Sequence, residues 1–435
     1  MNKNVGSNNP RYYTNLKLFQ LAVITSLRKL KTSYAKQEVI YKNDKSNGIL
    51  ATLRFRRKLA LTKVVKFNNK YYSTPTVPGF PSKAFDYSAQ NGGLNFNSAG
   101  TLLKKQMDSL FLAITDKCVL NCRHCYEKHN INKGVKVELE YWKSVINLFQ
   151  ARGVSIIILT GGEPLYDFNR TLELLSYGNK DLSDFHLHTS GMTITKDKAK
   201  ALKAAGLSAA AVGLDHYIPE KHDEIRGKGS FNSAVEALKL FNEEGILTYV
   251  NLCATRDLIR SGGLWKYYEL VNNLNVSMIE LLEPKPCGGF FGDGFKELIT
   301  AEDKKILLDF TITGNSSGKY KNFPIIYYVA HIEGKDQLGC NMGGLSLLYI
   351  DSAGNVCPCV FFPVSFGNIK TESAEVIFNR MRKSIPQPIK SDCPSLKFSN
   401  ELNELLKEKK FMPVPYNNLC ERSKNILSSE IIFRE

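Results

Sequence analysis

Three cysteines lie close together in one short segment, Cys118, Cys122 and Cys125, in the spacing C-x-x-x-C-x-x-C. They follow an apolar run, Leu110 to Thr115, that we predict to be a strand, and α/β folds place their chemistry at strand ends. Thiolates at this spacing let one loop wrap an iron–sulfur cubane. Because a cubane needs four ligands, three cysteines leave one iron open to another molecule. Zinc is the alternative, although no His pair at zinc spacing follows.

A second motif follows the next predicted strand. The segment Thr160-Gly-Gly-Glu-Pro164 contains two glycines that let the backbone approach a ligand closely. Its acid, Glu163, can accept a hydrogen bond from an ammonium group. Taken alone, this segment is better explained as a simple turn from strand to helix.

The two motifs together resemble the signature of the radical S-adenosylmethionine (radical SAM) superfamily. His124 stands at the usual aromatic position before the third cysteine, and the second motif is similar to the superfamily's GGEP loop. The resemblance implies that the three cysteines hold a [4Fe–4S] cluster whose open iron binds S-adenosylmethionine. It also implies reductive cleavage to a 5′-deoxyadenosyl radical that abstracts hydrogen from a substrate, with flavodoxin or ferredoxin as electron donor. The cofactor-binding residues implied in these two loops are His124, Gly161, Gly162, Glu163 and Pro164.

Three residues further along extend the resemblance. Ser190 follows a predicted strand, where relatives often carry a polar residue that reaches the cofactor. By the same resemblance, Asp215 lies near the ribose or the substrate, and Arg226 pairs with the carboxylate of S-adenosylmethionine. A helix cap for Asp215 and a surface ion pair for Arg226 explain the sequence equally well.

A second cysteine group begins at Cys340 and continues as C-x13-G-x4-C to Cys359, with Cys357 in between. This pattern resembles the start of a SPASM or Twitch domain, the auxiliary-cluster module of some radical SAM enzymes. A full SPASM domain continues with a dense cysteine group that is missing here. The resemblance therefore implies one auxiliary [4Fe–4S] cluster, held by Cys340, Cys359 and Cys393. Either Cys357 or a substrate atom is the expected fourth ligand.

Three further cysteines fall outside these motifs. Cys253 and Cys420 are expected to be buried core thiols. Cys287 lies in a glycine-rich segment, 285–294, which lacks the Gly-Lys-Ser/Thr ending of a nucleotide-binding loop. We predict that this segment is a flexible rim of the substrate pocket, with a catalytic role for Cys287 as the lesser alternative.

Alternating strands and helices between about residues 108 and 312 must position these side chains. The predicted strands are Leu110–Thr115, Val154–Leu159, Phe185–Thr189, Ala209–Leu214, Leu247–Leu252 and Ser277–Leu282. The predicted helices are Glu138–Gln150, Lys196–Ala205, Asn232–Glu244, Leu264–Asn273 and Glu302–Phe310. Such repeated βα units predict a parallel sheet, either open or closed into a barrel.

We predict an α/β fold with a partial (β/α)6 TIM-like barrel and a small C-terminal α+β domain. The expected regions are an N-terminal extension (1–100), the barrel (101–318), the auxiliary-cluster domain (319–400) and a tail (401–435). The extension contains a predicted basic amphipathic helix (15–33), a hairpin (64–73) and a linker (74–97). The helix is expected to pack on the barrel, with peripheral contact to an anionic membrane as the alternative.

Composition limits the partners. The 435 residues carry a formal net charge of +16, from 58 Lys and Arg against 42 Asp and Glu, which favours anionic partners. Without an RNA-binding signature or a helix-turn-helix pair, we expect no nucleic acid partner.

Ten cysteines are too few for a disulfide scaffold, and the first residues do not resemble a signal peptide. We expect the protein to be in a reducing cytoplasm; the alternative is a peripheral position at the inner membrane.

The motifs specify the cofactor chemistry better than the substrate. We expect a peptide substrate, which would make the protein a peptide maturase. The first alternative is a small cofactor, sugar or lipid intermediate. The second alternative is a non-catalytic sensor that uses the same thiolates for zinc or an iron–sulfur cluster, although a sensor does not need a methionine-binding turn such as Glu163 provides.

Overall fold

The structure is a computed structural model that describes residues 9–14, 20, 56–91, 107–291, 296–385, 388–409 and 412–422. Of the predicted basic helix at residues 15–33, only Gln20 is described. The hypothesis of membrane contact through that helix therefore lies outside the described residues. Among the helices that the structure does describe, none combines the length and hydrophobicity needed to span a bilayer.

Fourteen strands are found in the described residues. In chain order they are β1 Arg11–Thr14, β2 Lys63–Phe67, β3 Lys70–Tyr72, β4 Ser109–Ala113, β5 Ile156–Thr160, β6 Asp184–Thr189, β7 Leu207–Gly213, β8 Leu247–Cys253, β9 Met278–Leu282, β10 Ile325–Tyr328, β11 Leu347–Ile350, β12 Val356–Cys357, β13 Val364–Ser365 and β14 Val414–Pro415. The six strands predicted for the barrel correspond to β4 to β9, with ends that differ by one or two residues.

The α-helices follow the predicted alternation. In chain order they are α1 Lys83–Gln90, α2 Leu139–Ala151, α3 Phe168–Tyr177, α4 Lys196–Ala204, α5 Pro219–Arg226, α6 Ser230–Glu243, α7 Arg256–Arg260, α8 Gly263–Asn273, α9 Ala301–Ser316, α10 Val329–Ile332, α11 Ala374–Ser384, α12 Pro394–Lys397, α13 Ser399–Lys409 and α14 Tyr416–Arg422. Apolar residues recur three or four positions apart on the buried side of these helices, as in α2 with Trp142, Val145, Ile146 and Phe149.

A nine-stranded sheet forms the centre of the molecule, in the order β10-β9-β8-β7-β6-β5-β4-β11-β12. Strands β4 to β10 run parallel to their neighbours, as crossover connections through helices require. Strands β5 and β7 are almost entirely buried, which matches their continuous apolar sequences. The result is the predicted α/β fold with a parallel sheet, the architecture of a partial TIM-like barrel.

The sheet does not stop at the predicted barrel. Strand β10 pairs in parallel with β9, and β11 pairs in parallel with β4 at the opposite side. Both strands come from the C-terminal third of the chain. The part of the chain that carries the second cysteine group is therefore hydrogen-bonded directly to the strand that precedes the first group.

The N-terminal hairpin packs against the amino ends of the sheet strands. The predicted turn at Asn68 and Asn69 joins β2 to β3, and both asparagines have positive φ, which an asparagine tolerates well. Val65, Phe67 and Tyr72 form one cluster with the first residues of several strands, Ala209, Leu247, Met278 and Ile325. The hairpin therefore covers the end of the sheet opposite to the cysteine loops.

The prediction of an irregular linker at residues 74–97 is wrong for its central part, where α1 forms. Ser82 caps this helix by accepting a hydrogen bond from the Phe85 amide, and Ala84 and Phe85 are buried. Because the helix is only eight residues long, its apolar spacing was easy to miss among the surrounding Pro, Gly and Ser residues.

Lys63 of the hairpin is fully buried, and this has a measurable consequence. Its ammonium donates to the Tyr320 and Phe323 carbonyls at 2.8 and 3.0 Å, but burial lowers its pKa to about 7. Since the unfolded chain holds this proton up to its ordinary pKa of 10.5, the unfolded state binds more protons between these values. We expect the free energy of unfolding to rise from about pH 7 to about pH 10 because of this group. Urea denaturation of the Lys63→Met variant should show a smaller rise.

Lys66 on the same hairpin provides the control. Its side chain is half-buried beside the Tyr71 ring, and Lys66→Met should retain the pH dependence of the parent protein. Equal slopes for the parent and the Lys63→Met variant would contradict the assignment to Lys63.

Candidate active site

A cavity of about 580 Å³ lies at the carboxyl ends of β4 to β9. The last residues of successive strands line it: Thr160, Thr189, Gly213, Cys253 and Leu282. Cysteines from both predicted groups also line it, together with two others: Cys118, Cys122, Cys125, Cys253, Cys287, Cys340, Cys359 and Cys393. Tertiary structure thus brings together thiols that are far apart in the sequence.

The loop that carries the first three cysteines is fixed at several points by hydrogen bonds. Asn132 bonds to the Cys118 amide and carbonyl, at 3.0 and 2.8 Å. The Arg123 amide donates to the Ile225 carbonyl at 2.8 Å, and the Gly289 amide donates to the Cys125 carbonyl at 2.9 Å. These bonds fix the backbone of the loop, so that the three thiols lie around one end of the cavity and are not bonded to one another.

The donor set fits an iron–sulfur cluster. The three thiols are partly exposed to the cavity and carry no disulfide. Burial raises the pKa of Cys118 to about 11 and also raises the pKa of Cys122 and Cys125, so iron must displace their protons on binding. Among the described residues, no three His, Cys, Asp or Glu side chains converge closely enough to hold a single metal ion. In a cubane each iron takes one thiolate, so the cysteine ligands of a cluster lie farther apart than the ligands of a single metal ion.

The predicted Gly-Gly-Glu-Pro turn packs on the segment that precedes the first cysteine. The Gly162 amide donates to the Thr115 carbonyl and the Glu163 amide to the Lys117 carbonyl, both at 2.7 Å. A Cβ atom on Gly161 or Gly162 would collide with this segment's backbone. The glycines therefore allow two loops of the chain to lie against each other, in addition to the close approach to a ligand expected from the sequence.

Gly161 has a φ of +140°, so replacement with alanine combines backbone strain with the collision against Thr115. We expect Gly161→Ala to destabilise the protein by roughly 2–4 kcal/mol in urea denaturation. Gly134→Ala is the matched control, since Gly134 also has a positive φ, of +71°, but a Cβ there would meet nothing within 4 Å. Its expected cost is about 1 kcal/mol, from the backbone alone. Equal losses in the two variants would contradict the packing argument.

Glu163 is buried and accepts hydrogen bonds from its own chain. Thr189 Oγ1 donates to one carboxylate oxygen at 2.6 Å, and the Ser190 amide donates to the other at 2.8 Å. Ser190 Oγ and the Leu165 amide donate as well. Burial raises the pKa of Glu163, and these hydrogen bonds oppose the rise. Glu163 thus joins the loops after β5 and β6, and it lies on the cavity wall where a ligand ammonium can reach it.

Asp215 and Arg226 form a buried ion pair with His124 beside it. Arg226 Nε lies 2.5 Å from Asp215 Oδ2, and His124 Nε2 lies 3.2 Å from the same oxygen. The other oxygen accepts from the Cys253 amide at 3.0 Å. Burial favours a raised pKa for Asp215, but Arg226 and then His124 outweigh it and hold the pKa well below its usual range. The alternatives of a helix cap and a surface ion pair are therefore wrong for these two residues.

The second cysteine group reaches the cavity through Cys340, Cys359 and Cys393. Cys340 is paired with Ile389 by two backbone hydrogen bonds, and Cys393 lies just before α12. Cys359 accepts a hydrogen bond at its sulfur from the Phe361 amide, at 3.4 Å. Cys393 and Cys359 are both electrostatic neighbours of the Cys340 thiol. These three residues therefore line the same cavity, and their role as ligands of one cluster stays a prediction.

A hairpin brings two of these cysteines together. Gly354, with a φ of +91°, lies in the turn between β11 and β12, and the Asp351 carboxylate accepts from the Ala353 and Asn355 amides there. The glycine of the C-x13-G-x4-C pattern thus has the turn role predicted for it.

Cys357 and Cys420 do not line the cavity. Cys357 is buried in β12 and packs with Ala113 and Tyr349. Cys420 lies on α14, half-buried against the hydrophobic core, as expected for a packing thiol. The structure does not bring Cys357 to the cavity wall where Cys340, Cys359 and Cys393 meet.

The polar cavity residues that the sequence reasoning missed include His188, Asn251 and Glu280. His188 Nε2 lies 2.9 Å from the Tyr249 hydroxyl, and Asn251 Nδ2 lies 3.2 Å from His188 Nδ1. Burial raises the pKa of Glu280 to about 7. Glu280 is the one polar residue of the otherwise apolar strand β9, a signal that would have identified it, whereas His188 and Asn251 lie in strands β6 and β8, which carry other polar residues too.

Comparison with known proteins identifies two domains of the chain. The model of the radical SAM superfamily matches residues 112–257, and the model of an iron–sulfur cluster-binding domain, SPASM, matches residues 340–394. An AdoMet-dependent heme synthase from Oleidesulfovibrio alaskensis is 25% identical over 313 residues, which is 67% of this chain and 79% of the relative. The antilisterial bacteriocin subtilosin biosynthesis protein AlbA from Bacillus subtilis is 27% identical over 275 residues, 61% of this chain and 58% of the relative.

A solved structure agrees on the fold. Streptococcus suis SuiB bound to the precursor peptide SuiA matches with a TM-score of 0.52 and 14% identity, over 73% of this chain and 74% of SuiB. At that identity the likeness concerns the fold alone.

These matches and the geometry of the cavity lead to the same assignment. The radical SAM domain implies a [4Fe–4S] cluster that works with S-adenosylmethionine, and the SPASM domain implies auxiliary iron–sulfur binding by the C-terminal region. The relatives are catalytic, which argues against the non-catalytic sensor. The chain belongs to the radical SAM superfamily and is one of its enzymes that carry a SPASM iron–sulfur domain.

Proposed function

We propose that this enzyme modifies a peptide by hydrogen abstraction, with the site built as follows. Cys118, Cys122 and Cys125 hold the cluster that binds S-adenosylmethionine, and Cys340, Cys359 and Cys393 hold the auxiliary cluster. When bound, the first cluster supplies the electron that cleaves S-adenosylmethionine to methionine and a 5′-deoxyadenosyl radical. The chain itself must bind both molecules and keep water and oxygen away from them.

The chain offers three kinds of group to S-adenosylmethionine at the cavity wall. Glu163 and Ser190 present oxygen acceptors to its ammonium group. Arg226 presents a guanidinium to its carboxylate, while Asp215 holds that guanidinium in place through their 2.5 Å contact. Gly161, Gly162 and Pro164 shape the turn that brings Glu163 to the wall.

The similarity to the bacteriocin biosynthesis protein AlbA carries the choice of a peptide. The cavity of about 580 Å³ is lined by both cysteine groups, so a peptide side chain that enters it comes close to the proposed first cluster.

A small cofactor precursor is the second candidate, since three relatives are heme synthases that align with up to 85% of their own length. We rank the peptide first on the similarity to AlbA, and the two candidates differ in a direct test.

The test is anaerobic reconstitution with iron and sulfide, reduction, and assay of 5′-deoxyadenosine. Synthetic peptides that correspond to short reading frames beside the gene are one set of candidate substrates, and an iron porphyrin is the other. We expect a peptide to increase 5′-deoxyadenosine formation and to change its own mass. The Cys118→Ala, Cys122→Ala, Cys125→Ala triple variant should form none.

Stimulation and chemical change of the porphyrin, with all peptides unchanged, would overturn the peptide proposal in favour of the second candidate. A reduced, fully loaded enzyme that forms no 5′-deoxyadenosine with any substrate or with cell extract would contradict the assigned chemistry itself.

A further inference from the structure

Cys287 lies in the described part of the glycine-rich segment, residues 285–291, which packs closely on its surroundings; residues 292–294 of the expected flexible rim lie outside the described residues. Cys287 follows β9 and precedes a single 3-10 turn, Gly288–Phe290. Gly288, with a φ of +52°, and Gly289 pack so closely on the first cysteine loop that a Cβ on either would collide with the backbone of residues 123–126. The hydrogen bond from Gly289 to the Cys125 carbonyl adds to this contact.

The side chain of Cys287 is 3% exposed and lines the cavity. Cys393 is an electrostatic neighbour of its thiol, and Cys287 is in turn a neighbour of the Cys359 thiol. Two residues earlier, the Lys285 ammonium has Cys393 and Cys340 among its neighbours. The segment after β9 therefore lies on the wall of the cavity that all three cysteines of the auxiliary group also line.

Cys287 makes no hydrogen bond through its sulfur to the protein among the contacts that the structure describes, and it is not in a disulfide. The thiol lies on the wall of the cavity that Cys340, Cys359 and Cys393 also line, where it is placed to act as a ligand as well as to pack. Four thiols around one space are the usual complement of a cubane.

We propose that Cys287 is the fourth ligand of the auxiliary cluster, supplied by the barrel and not by the SPASM segment. The proposal rests on the auxiliary ligands Cys340, Cys359 and Cys393 of the proposed function. On binding, the thiol loses its proton to solvent and its sulfur bonds to the one iron that the other three cysteines leave open.

This assignment replaces both earlier options for the fourth ligand. Cys359 is an electrostatic neighbour of the Cys357 thiol too, but Cys357 is buried in β12 beside Ala113 and Tyr349 and does not line the cavity. A substrate atom is not required once Cys287 closes the set, so the auxiliary cluster transfers electrons and does not bind the substrate. Cavity side chains such as His188, Asn251 and Glu280 then remain to hold the substrate.

The test uses the full chain with Cys118, Cys122 and Cys125 replaced by alanine, so that only the auxiliary cluster is left. Iron and sulfide are measured after anaerobic reconstitution, and the electron paramagnetic resonance spectrum is recorded before and after reduction. We expect about four irons in this parent protein. Adding Cys287→Ala should change the spectrum, either because the open iron is lost to give a [3Fe–4S] signal or because that iron takes a ligand other than sulfur.

Two matched variants make the result specific. Cys253→Ala removes another thiol on the cavity wall, and Cys357→Ala removes the competing candidate; both should retain about four irons and the parent spectrum. Loss of the cluster in Cys357→Ala, with Cys287→Ala unchanged, would overturn the proposal in favour of Cys357. An unchanged cluster in every single variant would overturn it in favour of a non-protein fourth ligand.

Two further outcomes distinguish a failure of the auxiliary-cluster assignment from a failure of the Cys287 proposal. A parent protein that binds no iron at all would contradict the auxiliary-cluster assignment itself, independently of Cys287. Should Cys287→Ala fail to fold, the ⁵⁷Fe Mössbauer spectrum of the parent protein decides. Four equivalent sulfur-ligated irons support Cys287, and one iron with an oxygen or nitrogen ligand overturns it.

Discussion

Replacing Cys122 with alanine is expected to abolish cleavage of S-adenosylmethionine and to remove one of two clusters. The iron content should fall from about eight to about four atoms per chain, because the auxiliary cysteines remain. Cys122 lies between Cys118 and Cys125 in a loop fixed by the Arg123–Ile225 hydrogen bond at 2.8 Å. No other described cysteine of this loop is available to take its place. Iron analysis and a 5′-deoxyadenosine assay on the anaerobically loaded variant measure both effects.

Cys420→Ala is the matched control, since Cys420 is half-buried on α14 and does not line the cavity. It should keep about eight irons and the parent rate. A Cys122→Ala variant that retained both full iron content and 5′-deoxyadenosine formation would contradict the assignment of the first cluster. Equal loss in the two variants would indicate general damage from thiol removal.

Asp215→Asn is expected to lower the free energy of unfolding by about 3–5 kcal/mol. The carboxylate is fully buried and lies 2.5 Å from Arg226, so its loss leaves a guanidinium without a counter-charge. The neutral amide also changes the contacts with His124 and the Cys253 amide. Urea denaturation of the anaerobically loaded protein measures the effect, and the binding of S-adenosylmethionine should weaken as Arg226 loses its fixed position.

An exposed ion pair gives the comparison. Lys83 and Asp181 lie 2.6 Å apart, but their side chains are 76% and 56% exposed, so Asp181→Asn should cost no more than about 1 kcal/mol. Adding Arg226→Gln to Asp215→Asn should restore part of the lost stability, because the buried charge is then gone. Similar costs for Asp215→Asn and Asp181→Asn would refute the argument from burial.

The sequence was sufficient for most of the sheet and for the first cofactor loops. Strands β4 to β9 were predictable because a strand buried on both faces is a short continuous apolar run, such as Ile156–Thr160. The two motifs stand directly after two such runs, so their place at the strand ends followed from the strand assignment. The short α1 was not predictable, since its eight residues show too little apolar periodicity.

The sequence did not predict which individual side chains contact each other. Asp215 and Arg226 are on different elements, and only the return of α5 over the ends of the strands turns two ordinary charges into a buried pair. The same holds for the polar residues His188, Asn251 and Glu280, which become one cavity wall only when their strands lie side by side.

By itself, then, the sequence determined the chemistry: which thiols are spaced for a cluster, which loop suits S-adenosylmethionine, and which local pattern alternates between strand and helix. Local spacing is enough for these because neighbouring residues are held together by the chain. Only the tertiary structure decided which cysteines meet. Cys357 lies within the sequence motif but packs in the core, while Cys287 lies outside it and lines the same cavity as Cys340, Cys359 and Cys393. The reason is that β11 pairs with β4 and β10 with β9, which wraps the C-terminal region around the barrel mouth from both edges of the sheet.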